Sequence, residues 1–254
     1  MTLARRSVAE AVGTSLLLAT VIGSGIMGER LADGNVAIAL LANTIATGAA
    51  LVALILTFGP ISGAHFNPAV TIADAFHGGI AWRDVWAYLV AQILGAFAGV
   101  ATAHLMFSES VFFVSHHVRA GGAQVFSEFI ATFGLLSVIR GVSRSKSEVV
   151  PFAVGAYITA AYWFTASTSF ANPAVTLART MSDTFAGIRP VDAPGFIIAQ
   201  LIGAATATVL FGWLLPSSWG RFPTNIEIRK ESSTPPAPPG VGACGRRTVD
   251  DSHQ

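Results

Sequence analysis

Apolar residues run almost unbroken through six stretches of the chain, at about Val8–Met27, Val36–Phe58, Val85–Phe107, Val125–Val142, Val149–Thr168 and Ala193–Leu215. Each approaches or exceeds the ~20 residues that a helix needs to cross a hydrocarbon layer of ~30 Å. Between them lie two shorter pieces, "SGAHFNPAVTIADAF" and "STSFANPAVTLARTM", sharing Asn-Pro-Ala-Val-Thr-x-Ala. Asn67 and Asn172 are helix caps, Pro68 and Pro173 occupy first helical positions, and small residues (Ala69 and Ala174 first) follow. Each piece therefore predicts a helix of roughly 10 residues, too short to span. The pattern is that of an all-α membrane protein with six transmembrane helices and two half-helices.

The polar residues inside the apolar runs recur in the same order. Glu10 in "AEAVGTSLL" answers to Glu128 in "SEFIATFGL", Asn67 to Asn172, and Gln92 in "AQILGAFAGV" to Gln200 in "AQLIGAATATV". Three matched landmarks at similar offsets indicate an internal repeat, over about residues 5–107 and 124–215. Each copy reads span, span, half-helix, span. An odd number of spans inverts the second copy, so the half-helices enter from opposite faces and their N-termini meet near the midplane.

Composition agrees with a membrane protein. The chain is 52% apolar and 11% charged, against a usual charged share of about 25%. A net charge of +1 supports no nucleic-acid partner. With the N-terminus inside, eleven of the fifteen Lys and Arg residues fall on inner segments, and Arg30, Arg119, Arg179 and Arg189 fall outside. Both termini are therefore expected in the cytoplasm, with the protein multi-pass in the inner (plasma) membrane. Arg5 and Arg6 before an apolar run resemble a signal peptide, but Glu10 interrupts the run and no small-x-small cleavage site follows. The single cysteine, Cys244, excludes disulfides and thiolate metal sites within one chain. From Pro216 the sequence turns Pro/Gly-rich and polar, so a channel domain over 1–215 is expected to precede a disordered cytoplasmic tail over 216–254.

Glu10 and Glu128 are carboxylates at membrane depth, which is costly and marks them for a role. One role is structural, accepting backbone N–H groups from the loops that lead into the half-helices. The other is proton relay; the symmetric placement favours the first. Gln92 and Gln200 read as buried amides bridging helices. Small residues such as Gly13, Gly95, Gly99, Gly134, Gly155 and Gly203 are expected to permit close helix packing in lipid. His65 is expected in the first pore loop, and His116 and His117 in an outer connector, without a carboxylate cluster for a metal. No nucleophile–base pairing, phosphate loop or metal spacing is present, so neither catalysis nor a cofactor is expected.

Both Asn-Pro-Ala boxes and the "SGAHFNPAVT" run closely resemble the major intrinsic proteins, the aquaporins and aquaglyceroporins, over about residues 5–215. The resemblance implies a pore within each subunit, a homotetramer, and Asn67 and Asn172 offering donors at mid-pore. Loop carbonyls of Gly63, Ala64, His65 and Phe66, and of Thr168, Ser169, Phe170 and Ala171, would offer acceptors. Opposed helix N-termini would place about half a positive charge each at the centre and disfavour cations.

One position departs from the family pattern. An arginine usually follows the second Asn-Pro-Ala; here Val175 stands there. Ungapped alignment from the motifs puts Thr47, Ala160 and Ser169 at the other constriction positions, giving a small, weakly polar, uncharged filter. Arg179, a helical turn beyond Val175, is expected in the outer vestibule in a surface ion pair with a neighbour such as Asp183, and Asp74 is its counterpart in the first repeat. The resemblance extends to a bacterial branch associated with arsenic resistance. The leading expectation is a passive channel for glycerol-like polyols, arsenite and related neutral metalloid hydroxides, and water. A water-selective channel and a proton-coupled transporter using Glu10 or Glu128 are the alternatives.

Overall fold

The computed structural model describes residues 1–215. Among them the chain forms eight α-helices and one 3₁₀ turn at Ser147–Val149, with no strand. The helices are α1 (Leu3–Leu31), α2 (Val36–Ser62), α3 (Pro68–Phe76), α4 (Trp82–Met106), α5 (Gly122–Ser145), α6 (Val150–Phe164), α7 (Pro173–Arg179) and α8 (Ala193–Leu214). The expected tail over 216–254, with Cys244 and five of the inner cations, lies outside the described residues.

The half-helices α3 and α7 start where the motif predicts. Asn67 and Asn172 adopt extended backbone, and their side-chain oxygens accept the first free N–H groups, at Ala69 and at Ala174 and Val175. Pro68 and Pro173 follow, where a missing N–H costs nothing.

Helix contacts obey the exchange of α1 with α5, α2 with α6, α3 with α7 and α4 with α8. Helix α1 packs on α4 and α2 as α5 packs on α8 and α6, and α4 touches α7 as α8 touches α3. Glycines carry the closest of these contacts. A Cβ on Gly95 would meet the Ala11 carbonyl, one on Gly99 the Ser15 carbonyl, and one on Gly203 the Phe129 carbonyl. Backbone thus packs on backbone between α4 and α1 and between α8 and α5, the contact that small residues permit in lipid.

The long helices turn apolar residues outward and polar ones inward. Leu41, Ile45, Leu94, Ile202 and Val209 are exposed, whereas Glu10, Glu128, Gln92 and Gln200 are fully buried. That distribution suits hydrocarbon rather than water as the surrounding solvent. Five helices (α1, α2, α4, α5 and α8) are long and apolar enough to cross a membrane. The fifth apolar run departs from its expected helix over Val149–Thr168. It yields only α6, of 15 residues, or about 22 Å of rise. At Thr165 the chain leaves helical geometry for an extended conformation and enters the loop before Asn172. Apolarity continues through that loop, which is why composition overestimated the helix.

Candidate functional site

The segments ahead of the two motifs share an unusual backbone. Gly63, Ala64 and Phe66 have positive φ, and so do Thr168, Ser169 and Ala171, the residues at the same offsets from Asn172. For a non-glycine residue the left-handed region costs roughly 1 kcal/mol or more. The alternation turns successive N–H and C=O groups to opposite sides of each loop. Five side chains held this way need external restraint.

The two buried carboxylates provide it. Glu10 accepts from the N–H groups of His65 (3.0 Å) and Phe66 (2.7 Å), from the Ser62 hydroxyl (2.6 Å) and from the Gln92 amide (2.9 Å). Glu128 accepts from the N–H groups of Phe170 and Ala171, both at 2.9 Å, and from the Gln200 amide at 2.6 Å. Gln92 and Gln200 also donate to the hydroxyls of Thr71 and Thr176, which donate to the carbonyls of Asn67 and Asn172. Thr71 and Thr176 escaped the reading of the sequence, although their shared offset within Asn-Pro-Ala-Val-Thr was signal enough.

The half-helix N-termini meet. Asn67 Nδ2 donates to the Ala171 carbonyl at 2.7 Å, and Asn172 Nδ2 donates to the Phe66 carbonyl at 2.8 Å. Each amide nitrogen carries two hydrogens and uses one in this exchange. The same bonds occupy two of the loop carbonyls expected to face a solute, Phe66 and Ala171.

Three of the four constriction candidates are buried: Thr47 at 3% exposure, Ser169 at 3% and Val175 at 5%. Ser169 Oγ is buried without a protein partner among the described residues. Ala160 differs. It is exposed, on the face of α6 that also exposes Phe152, Ala156 and Trp163. The α6 residue that reaches Thr47 is Tyr162, whose hydroxyl donates to Thr47 Oγ1 at 3.3 Å.

Arg179 is not in a surface ion pair. It is fully buried, its Nε donates to the Ala186 carbonyl, and its guanidinium stacks 3.4 Å from the centre of the Phe170 ring. Asp183 instead accepts from the backbone N–H and the ring of His116, at 2.8 and 2.9 Å, which hold its carboxyl below the usual carboxylate range. The expectation rested on helical spacing alone, and a seven-residue helix sunk into the protein leaves no surface for the side chain. Asp74 lies 3.7 Å from the ring of His65, whose other nitrogen meets the Thr71 hydroxyl at 3.1 Å. Among the described residues no group of three His, Cys, Asp or Glu side chains could hold a metal ion.

The family model for major intrinsic proteins matches residues 1–169 and 143–234. The chain belongs to the major intrinsic protein family. This major intrinsic protein is 58% identical over 213 residues to aquaglyceroporin AqpS of Rhizobium meliloti (strain 1021), covering 84% of this chain and 91% of AqpS. It is 32% identical over 247 residues to the probable aquaporin AqpM of Archaeoglobus fulgidus, covering 84% of this chain and 98% of AqpM. Its fold matches the X-ray structure of the aquaglyceroporin from Plasmodium falciparum with a TM-score of 0.64 at 20% identity, covering 83% of this chain and 96% of that one. The family is one of membrane channels, and small neutral solutes are what an aquaglyceroporin homologue passes.

Proposed function

We propose that this channel conducts glycerol-like polyols, arsenite and related neutral metalloid hydroxides, and water, passively through a pore that crosses the meeting point of α3 and α7. The observation that carries the reading is the reciprocal bonding of Asn67 to Ala171 and of Asn172 to Phe66. It leaves one amide hydrogen on each asparagine for a passing hydroxyl, at the end of a helix dipole that repels cations. Thr47, Ser169 and Val175 then wall the constriction on the α7 side, and Ala160 adds no bulk there. Val175 is the residue that widens it, because an uncharged side chain stands where a guanidinium would narrow the passage. The Ser169 hydroxyl, buried without a protein partner among the described residues, is a group that a solute hydroxyl can satisfy.

Glu10 and Glu128 position the pore loops in this reading and carry no protons across. Their oxygens are engaged by loop N–H groups and glutamine amides. The outward apolar surface meets lipid and further copies in a homotetramer of the plasma membrane, with both termini cytoplasmic.

The test is stopped-flow permeability of matched proteoliposomes for water, glycerol and arsenite, with wild type and Val175→Arg compared. Flux linear in the gradient and indifferent to a pH gradient is expected. Val175→Arg should cut arsenite and glycerol before water. Saturating flux coupled to protons would overturn the channel reading. Equal flux for all three solutes in assembled wild type and Val175→Arg would overturn the constriction.

A further inference from the structure

Arg119 lies in the connector between α4 and α5, far in sequence from either motif, yet is only 7% exposed. Its guanidinium reaches the segment before Asn172. Nη1 donates to the Ser167 carbonyl at 3.1 Å and the Thr168 hydroxyl at 3.3 Å. Nε donates to the Gly187 carbonyl at 2.8 Å and Nη2 to the Phe185 carbonyl at 3.3 Å. Four of its five N–H groups are thus spent on the protein. The Arg119 backbone N–H donates to Asp192 Oδ2 at 2.9 Å, which fixes the connector at this point. The guanidinium carbon also lies 5.0 Å from the centre of the Phe170 ring.

No carboxylate lies within ion-pair distance of Arg119 among the described residues. The cation is held by carbonyl dipoles and a ring face, so its charge is not cancelled. Burial lowers its pKa to about 10, opposed by the charge of Glu128, and it remains protonated at neutral pH. Its two contacts put that charge on Ser167 and Thr168, the two residues that lead into Ser169. A loop staple could be made of neutral amides; an unpaired cation placed here adds a field at the constriction.

We propose that Arg119 is the specificity-determining guanidinium of the pore, supplied from the α4–α5 connector to the constriction where Val175 offers none. The inference rests on the constriction reading given above. From this position the fixed charge excludes cations, and the remaining Nη2 hydrogen meets solute hydroxyls. Reaching in from the side rather than from α7, Arg119 leaves the space at Val175 open, so ion exclusion and a wide bore coexist.

The experiment uses the full chain in proteoliposomes, with cation leak (potassium and proton), water and glycerol permeability, and thermal stability read together. Arg119→Gln keeps donors for the carbonyls and removes the charge; Arg119→Lys keeps the charge and loses the fork. Cation leak about tenfold higher in Arg119→Gln, near wild type in Arg119→Lys, and lowered again in Arg119→Gln with Val175→Arg is the expected result. Unchanged leak and an unchanged glycerol-to-water ratio in assembled Arg119→Gln would overturn it. So would an equal fall of all fluxes with stability in both single variants, which is how a mere staple behaves. Should Arg119→Gln fail to assemble, cation leak in Arg119→Lys decides: wild-type exclusion supports the proposal and a raised leak overturns it. Val175→Arg without effect in either background would instead sink the constriction reading, whatever the leak of Arg119→Gln.

Discussion

The side-chain amide of Asn67 donates to the carbonyl of Ala171 across the interface between the two repeats. Asn172 returns the bond to Phe66, and each asparagine also caps its own half-helix. One residue type therefore starts the helix, ties it to its opposite number and keeps a donor in hand. Replacing either with aspartate keeps the cap and removes both amide hydrogens, setting a carboxylate against a buried carbonyl. Asn172→Asp is expected to lose about 1–3 kcal/mol of stability and to conduct glycerol at about a tenth of the wild-type rate or less. Unchanged glycerol flux in assembled Asn172→Asp would remove the meeting point from the pore.

Glu128 holds the second loop through the N–H groups of Phe170 and of Ala171, the latter at positive φ. Glu128→Gln retains one acceptor oxygen, whereas Glu128→Ala leaves both N–H groups without a partner and the Gln200 amide with the Thr176 hydroxyl alone. An unsatisfied buried donor costs about 1–3 kcal/mol. Melting of the solubilised protein should fall in the order wild type, Gln, Ala, with recovered Glu128→Ala channel scarce. Proton-coupled transport altered in a well-folded Glu128→Gln protein would assign the carboxylate to proton relay instead.

Gly95 tests the contact between α4 and α1. A methyl group there meets the Ala11 carbonyl, which is backbone and cannot rotate away. Gly95→Ala should lower stability by about 1–3 kcal/mol, while Gly212→Ala, with open space around it, should not. Equal melting temperatures for the two variants would contradict the close approach.

His117 gives the outer connector a pH dependence. Burial, then Arg119 and Arg179, hold its pKa below the ordinary 6.5. A histidine whose folded pKa is depressed supports the fold above its unfolded value, and that contribution declines as pH falls below about 6.5. Wild type should therefore lose more melting temperature than His117→Gln between about pH 7.5 and about pH 5.5. Identical slopes for the two proteins would mean that His117 titrates as freely as in the unfolded chain.

Much of this protein is decided along the chain itself. Long apolar runs can only be satisfied in lipid as helices, and an Asn-Pro pair followed by small residues can only begin one, so the positions of α1, α2, α3, α4, α5, α7 and α8 follow from local chemistry. The duplicated landmarks Glu10 and Glu128, Gln92 and Gln200, Asn67 and Asn172 announce the repeat because each pair meets the same backbone need twice. Tertiary structure decides what spacing cannot express. The end of α6 at Phe164 depends on a loop that must turn back to reach Glu128, not on apolarity. Arg179 goes inward because Phe170 and the Ala186 carbonyl wait for it there. Tyr162, not its neighbour Ala160, reaches Thr47 because the rotation of α6 is set by packing against α2 and α5. Arg119 stands in a connector without periodicity or motif, and only the folding of that connector onto the segment before Asn172 brings its guanidinium to Ser167 and Thr168. Periodicity and capping are local and therefore legible; the meeting of residues far apart in the chain depends on the packing of the whole.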